Sequence, residues 1–145
     1  MGKKRIIQKT DLTTEEGIAS SIKLGASNKK KIQEGEVHIQ STYNNTIITI
    51  SDTKGNVVMA GSSGALGFRG AKKGTPYAAT KVAEFLGEKS KVAGIQKFNI
   101  FVKGVGAGRE AAVRSFIAQG FDAGFIRDIT PIPHNGPRSP KPRRV

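Results

Sequence analysis

Apolar and polar residues alternate from Glu36 onward. Val37, Ile39 and Ser41 share one face of an extended segment against His38 and Gln40, and after Tyr43-Asn44-Asn45 comes a β-branched run, Thr46-Ile47-Ile48-Thr49-Ile50. A period of two rich in β-branched side chains marks half-buried strands, so the two runs should pair as a hairpin. Asn tolerates the left-handed φ that tight hairpin turns demand, and Asn44 and Asn45 are expected to adopt it. A second turn, Asp52-Thr53-Lys54-Gly55-Asn56, leads to a third strand over residues 57–61.

The period then lengthens. Thr75 followed by Pro76 is the pairing of a helix N-cap and first turn, and Ala79, Val82, Ala83 and Leu86 supply the i, i+3, i+4, i+7 stripe that packs a helix on a sheet. Ile95 opens a fourth strand, with Phe98, Ile100 and Val102 alternating against Lys97, Asn99, Phe101 and Lys103. Residues 109–119 read as a second helix, apolar at Val113, Phe116 and Ile117 and stopped by Gly120, and a fifth strand spans 124–128. Strand four, helix two and strand five make a βαβ unit with parallel strands. The pattern predicts an α/β core over residues 36–128: a mixed five-stranded sheet flanked by two main helices. Residues 1–35 form a basic arm, with a short helix over 12–24 capped by Thr13 or Thr14, Glu16 standing three residues after Thr13 as in a capping box.

Residues 129–145 break every period. Five of the six prolines fall there, with Arg138, Lys141, Arg143 and Arg144 and no acidic residue. Proline excludes helix and central strand, and the segment has too few apolar side chains to offset its ordering entropy, so its order has to come from a partner. A stiff extended tail bearing guanidinium forks suits phosphates.

Charge points the same way. Twenty-four Lys and Arg against 11 Asp and Glu give a net charge of +13 over 145 residues, beyond what solubility requires, and a polyanionic partner is implied. No apolar run is long enough for a membrane-spanning helix, and no secretory signal precedes the core, so a cytoplasmic location is expected. The absence of cysteine removes disulfides and thiolate metal sites.

Two glycine loops carry the remaining chemistry. Ser62-Ser63-Gly64-Ala65-Leu66-Gly67-Phe68-Arg69-Gly70-Ala71-Lys72-Lys73-Gly74 is basic, with glycines that let the backbone approach another surface, and Phe68 fits a core plug better than a base stack. Gly104-Val105-Gly106-Ala107-Gly108 sits between a strand and a helix as in dinucleotide sites, but its spacing is G-x-G-x-G rather than G-x-G-x-x-G, and it lacks the Lys-Ser/Thr end of a P-loop. An anion at this helix start, beside Lys103 and Arg109, fits an RNA phosphate. Rather than metal-converging carboxylates, Asp52 reads as the start of its turn, Asp122 as a loop residue and Asp128 as the strand-end anchor of the tail's departure, and His38 and His134 have no nucleophile beside them in sequence. The reading is therefore of a non-enzyme with no cofactor, no metal and no small-molecule substrate. With seven Phe and two Tyr, most at alternating core positions, a free-standing single-strand binder with an aromatic platform is disfavoured.

The string Asp128-Ile129-Thr130-Pro131-Ile132-Pro133-His134-Asn135-Gly136-Pro137-Arg138, with the closing Arg143-Arg144-Val145, resembles the C-terminal signature of the bacterial-type small-subunit ribosomal protein eleven family. NNTIITISDTKGN, GFRGAKKGTPYAA and VKGVGAGRE resemble its first hairpin, basic loop and second loop. Departures are Val105 and Ala107 in place of prolines, Met59 in place of a frequent aromatic, and Pro137 in place of a common cysteine. The resemblance covers residues 37–145 and implies a ribonuclease-H-like topology without catalysis. It also implies a place on the platform of the small ribosomal subunit, bridging ribosomal RNA helices and helping form the Shine–Dalgarno cleft. Ribosomal proteins seven and eighteen and initiation factor three are implied partners. RNA contact is implied for Asn44, Asn45, Arg69, Lys72, Lys73, Lys103, Arg109, Arg114, His134, Asn135, Arg138, Lys141, Arg143 and Arg144.

Overall fold

The alternating runs assemble one sheet. The computed structural model describes residues 32–142 and 144, so residues 1–31 of the basic arm, with the helix expected over 12–24, lie outside the described residues, as does Arg143, while Glu34 and Gly35, expected in the arm, belong to the first strand. The elements are β1 (Glu34–Ser41), β2 (Thr46–Asp52), β3 (Val57–Ser62), a 3-10 turn (Gly70–Gly74), α1 (Pro76–Ala93), β4 (Lys97–Lys103), α2 (Gly108–Ala118) and β5 (Asp122–Asp128). The sheet order is β3-β2-β1-β4-β5. Neighbours β1–β2 and β2–β3 are antiparallel, β1–β4 and β4–β5 parallel, which is the mixed five-stranded sheet the periodicity predicts.

Register places the apolar residues together. Val37 pairs with Ile50 and Ile100, and Ile39 with Ile48 and Val102; with Met59 and Phe98 they form an inner face that is almost fully buried. Against it lie Ala79, Val82, Ala83 and Leu86 of α1, then Ala112 and Phe116 of α2, and Phe121 just before β5. Phe98 meets Phe116 edge-on at 5.8 Å and a tilted Phe121 at 4.9 Å, and such aromatic pairs add about 0.5–1.5 kcal/mol each to the area buried. Both helices therefore pack on one face.

Four local expectations are corrected. Neither Asn44 nor Asn45 has positive φ. The β1–β2 connection has four residues, 42–45, closed by hydrogen bonds from the Thr42 N–H to the Asn45 carbonyl (2.9 Å) and from the Asn45 N–H to Thr42 Oγ1 (3.1 Å), and the longer loop relieves the demand for a left-handed pair. Ile95 precedes β4 rather than opening it, because α1 ends in a left-handed Gly94 (φ 87) whose closure uses the Ile95 N–H on the Ser90 carbonyl. Ile117 is 48% exposed; the face of α2 that meets the core is set by Ala112 and Phe116, and the next residue is turned about 100° away. Helix α2 begins at Gly108 and ends at Ala118, one residue before the expected bounds at each end, and β5 begins at Asp122 rather than residue 124. Thr75 caps α1, accepting from the Ala78 N–H, with Pro76 following, as the sequence predicts.

All connections at one end of the sheet converge on the β1–β2 loop, and they do so too closely for side chains. A Cβ on Gly74 would stand 2.1 Å from the Tyr43 carbonyl oxygen, one on Gly104 2.1 Å from that of Ser41, and one on Gly106 2.3 Å from that of Thr42. Gly106→Ala should therefore destabilise the fold by about 1–3 kcal/mol. Gly64→Ala, whose Cβ would meet Lys73 Cδ at 3.6 Å and Ser62 Oγ at 3.9 Å, both ordinary contacts, should stay within about 0.5 kcal/mol of the parent. Denaturant midpoints with unchanged slopes would verify both, and equal midpoints for the two variants would remove steric closure as the reason for these glycines.

Candidate nucleic-acid interface

Topology collects the charges before any side chain is considered. Register pairs Ser41 with Thr46, Gln40 with Lys103, Ile47 with Ser62 and Val102 with Asp128. The hairpin loop 42–45, the basic stretch 63–75, the glycine loop 104–107 and the start of the tail thus all leave one end of the sheet. Helices α1 and α2 both begin there, so two N-terminal partial positive charges face the same side. The opposite end holds the Asp52 turn, where the carboxylate accepts from the Thr53 N–H at 2.8 Å, as its turn-starting role requires.

Buried hydroxyls tie the hairpin to the basic loop. Ser63 Oγ lies 2.5 Å from Asn45 Oδ1 and 2.8 Å from the Lys73 carbonyl, and it accepts from the Thr46 N–H. Ser41 Oγ and Thr46 Oγ1 stand 3.5 Å apart beneath it. Asn45 is half-buried with its carbonyl oxygen engaged, whereas Asn44 is exposed beside Tyr43. Arg69 and Lys72 are exposed and Lys73 half-buried on the rim of this loop. Phe68 is neither free nor in the core: half-buried, it meets Tyr77 edge-on at 6.1 Å.

A closed hydrogen-bond ring anchors the tail. The Gly104 N–H donates to Thr130 Oγ1 at 3.1 Å, the Thr130 hydroxyl donates to Asp128 Oδ1 at 2.6 Å, Arg109 Nη2 pairs with Asp128 Oδ2, and Arg109 Nη1 returns to the Gly104 carbonyl at 2.8 Å. The Thr130 N–H adds a further bond to Asp128 Oδ1, and the Ile129 N–H one to the Val102 carbonyl. Asp128 thus anchors the tail's departure, as its place at the strand end predicts. Arg109, expected as a phosphate contact, is engaged within the ring. Nothing local in the sequence signals this, because its partner lies 19 residues away.

Beyond Thr130 every described residue is exposed and none is in helix or strand; His134, Arg138, Lys141 and Arg144 all lie there. Asn135 has φ 51, the one positive φ outside glycine among the described residues. Lys103 is exposed at the end of β4. Among the described residues no carboxylate pairs with Arg69, Lys72, Lys73, Lys103, Arg138, Lys141 or Arg144. Arg114 differs: it lies along α2, 3.4 Å from Glu110, with both side chains largely in solvent, a pair of little energetic weight.

A fold whose helices cover one face, whose unpaired cations crowd one strand end, and whose tail lies exposed defines a class, the basic α/β scaffolds that bind polyanions. Within it the chain belongs to the Ribosomal protein S11 family, whose sequence model matches residues 35–144. Members are structural, non-enzymatic components of the small ribosomal subunit that bind its RNA.

Thr130 is the first cause of an unusual carboxyl. Its hydroxyl, then the Arg109 guanidinium and the Thr130 N–H, hold Asp128 down from 3.8 to about 2. A depressed folded value means that the group contributes to stability above the unfolded value and that the contribution fades as pH falls from about 4 towards 2. Thr130→Val should raise the Asp128 midpoint towards 3.8 in a carboxyl-carbon NMR titration. An unmoved midpoint would exclude the ring as its cause.

Proposed function

We propose that this protein sits on the platform of the small subunit and joins separate RNA helices there. The strand-end cations rest on one helix and the tail runs into crevices between others, beside the Shine–Dalgarno cleft. The observation that carries this reading is the convergence of Arg69, Lys72, Lys73 and Lys103 with the root of a cationic tail, exposed at every described residue beyond Thr130, at one end of a domain of this family. Phosphates supply the affinity and RNA shape the specificity. Asn44, Asn45, His134, Asn135, Arg138, Lys141, Arg143 and Arg144 contact the RNA in this arrangement, and Arg114 reaches it from the flank of α2. Arg109 acts chiefly by holding the tail's root, with its remaining N–H groups turned to phosphate. Ribosomal proteins seven and eighteen and initiation factor three are its neighbours, and it works in the cytoplasm.

Two experiments test this. Deleting residues 137–145 should weaken binding to small-subunit RNA while leaving thermal unfolding of the protein nearly unchanged, because the deleted residues are exposed throughout the described part of the tail; a large loss of fold stability would contradict it. Lys72→Ala combined with Lys73→Ala should lower the slope of log affinity against log salt by about 1–2, and an unaltered slope would exclude both lysines as phosphate contacts.

A further inference from the structure

The sheet face opposite the helices is uncovered by any described element, and it is not a featureless polar surface. His38 of β1 stacks on Phe101 of β4, centroids 5.1 Å apart and planes within 9°. Phe101 in turn meets Phe125 of β5 edge-on at 5.5 Å, and the Arg127 guanidinium lies 5.5 Å from the Phe125 ring centre. The rings form a row across three adjacent strands, with the His38 side chain 40% and Phe125 43% exposed.

Charge is divided along this face. Glu34 and Glu36 occupy the end away from the cation-bearing loops, each beside a basic partner, Lys97 at 3.5 Å and His38 at 3.5 Å. The other end carries Gln40, Lys103 and Arg127, adjacent by register to the aromatic row and contiguous with the loops described above. The row is one ring wide and flanked by Thr49, Asn99 and Gln40, so it does not make the broad apolar patch that a protein partner's core contact needs. They do provide what an unpaired base uses: a π-face, hydrogen-bonding amides and hydroxyls beside it, and a cation for its phosphate.

We infer that this face takes unpaired nucleobases of the RNA, stacked on Phe125 and on the His38–Phe101 pair, with Lys103 and Arg127 on the flanking phosphates. The inference rests on the RNA-facing role of the adjoining strand end and adds to it base stacking, a component that, unlike the phosphate contacts of Lys103 and Arg127, does not depend on ionic strength.

The test compares the full-length parent with Phe101→Leu/Phe125→Leu for binding to small subunits lacking this protein, over a range of salt. Leucine keeps the apolar volume and removes the ring, and both positions lie outside the buried core, so thermal unfolding should stay close to that of the parent. Affinity should fall about tenfold or more with the salt slope unchanged. Ultraviolet irradiation of the parent complex should cross-link the peptide carrying Phe125 to a nucleotide. Parental affinity in the double variant would overturn the inference, as would a cross-link from that peptide to protein alone. Failure of the role proposed for the strand end shows differently, as an unchanged salt slope in the Lys72/Lys73 variant while the aromatic variant still loses affinity.

Discussion

The structure depends on how closely three chain segments approach one another at a single end of the sheet. The β1–β2 loop is held between the basic loop and the β4–α2 loop at separations where glycine alone fits, with Gly74, Gly104 and Gly106 against the Tyr43, Ser41 and Thr42 carbonyls. Gly108 fills the same role one step deeper, where a Cβ would stand 2.5 Å from Thr46 Oγ1. Backbone carbonyls cannot retreat from a clash as a flexible side chain does. The closure therefore sets the relative positions of Lys72, Lys73 and Lys103 to within the tolerance of a packed interior.

That closure makes a display of like charge tolerable. Cations brought together without carboxylates repel one another, and a loop held only by its own side chains would spread. Here the repulsion acts on backbone already fixed by Ser63, which joins Asn45 to the Lys73 carbonyl, and by the ring through Gly104, Thr130, Asp128 and Arg109. The hydrophobic core contributes separately, through the apolar side chains of β1 and β4 that face the two helices. Fold stability and polyanion affinity are thus carried by different atoms.

What could be read from the sequence was what is local. Val37-Ile39-Ser41, Phe98-Ile100-Val102 and the Thr75-Pro76 start announce themselves within a few residues, and each is found as read. The phase of α2 is less legible: Val113, Phe116 and Ile117 read as its apolar side, and only the helix's placement on the sheet turns Ala112 inward with Phe116 and leaves Ile117 exposed. The glycines were visible but ambiguous: the same residue permits a phosphate or the chain's own carbonyl to come close, and at Gly104 and Gly106 it is the chain. Its place at a helix start and the family resemblance both make Arg109 a ligand for RNA, and only the three-dimensional return of Asp128 shows it binding the tail's root. Composition also hid the open face, because a count of aromatics does not separate Phe98 and Phe116 in the core from Phe101 and Phe125 outside it.

The tail follows from the same division of labour. Up to Thr130 it is held by bonds to Val102, Gly104 and Asp128, so its point of departure and initial direction are settled by the domain. Beyond it, prolines at 131, 133, 137, 140 and 142 restrict φ along an otherwise unsupported chain. Such a segment has fewer conformations to lose than a flexible one of equal length, which lowers the entropic cost of laying it along a partner. A rigid root with a stiffened but unattached limb is what a scaffold requires when its binding surface is supplied by a separate, highly charged molecule: direction comes from the fold, and final order from neutralising phosphate.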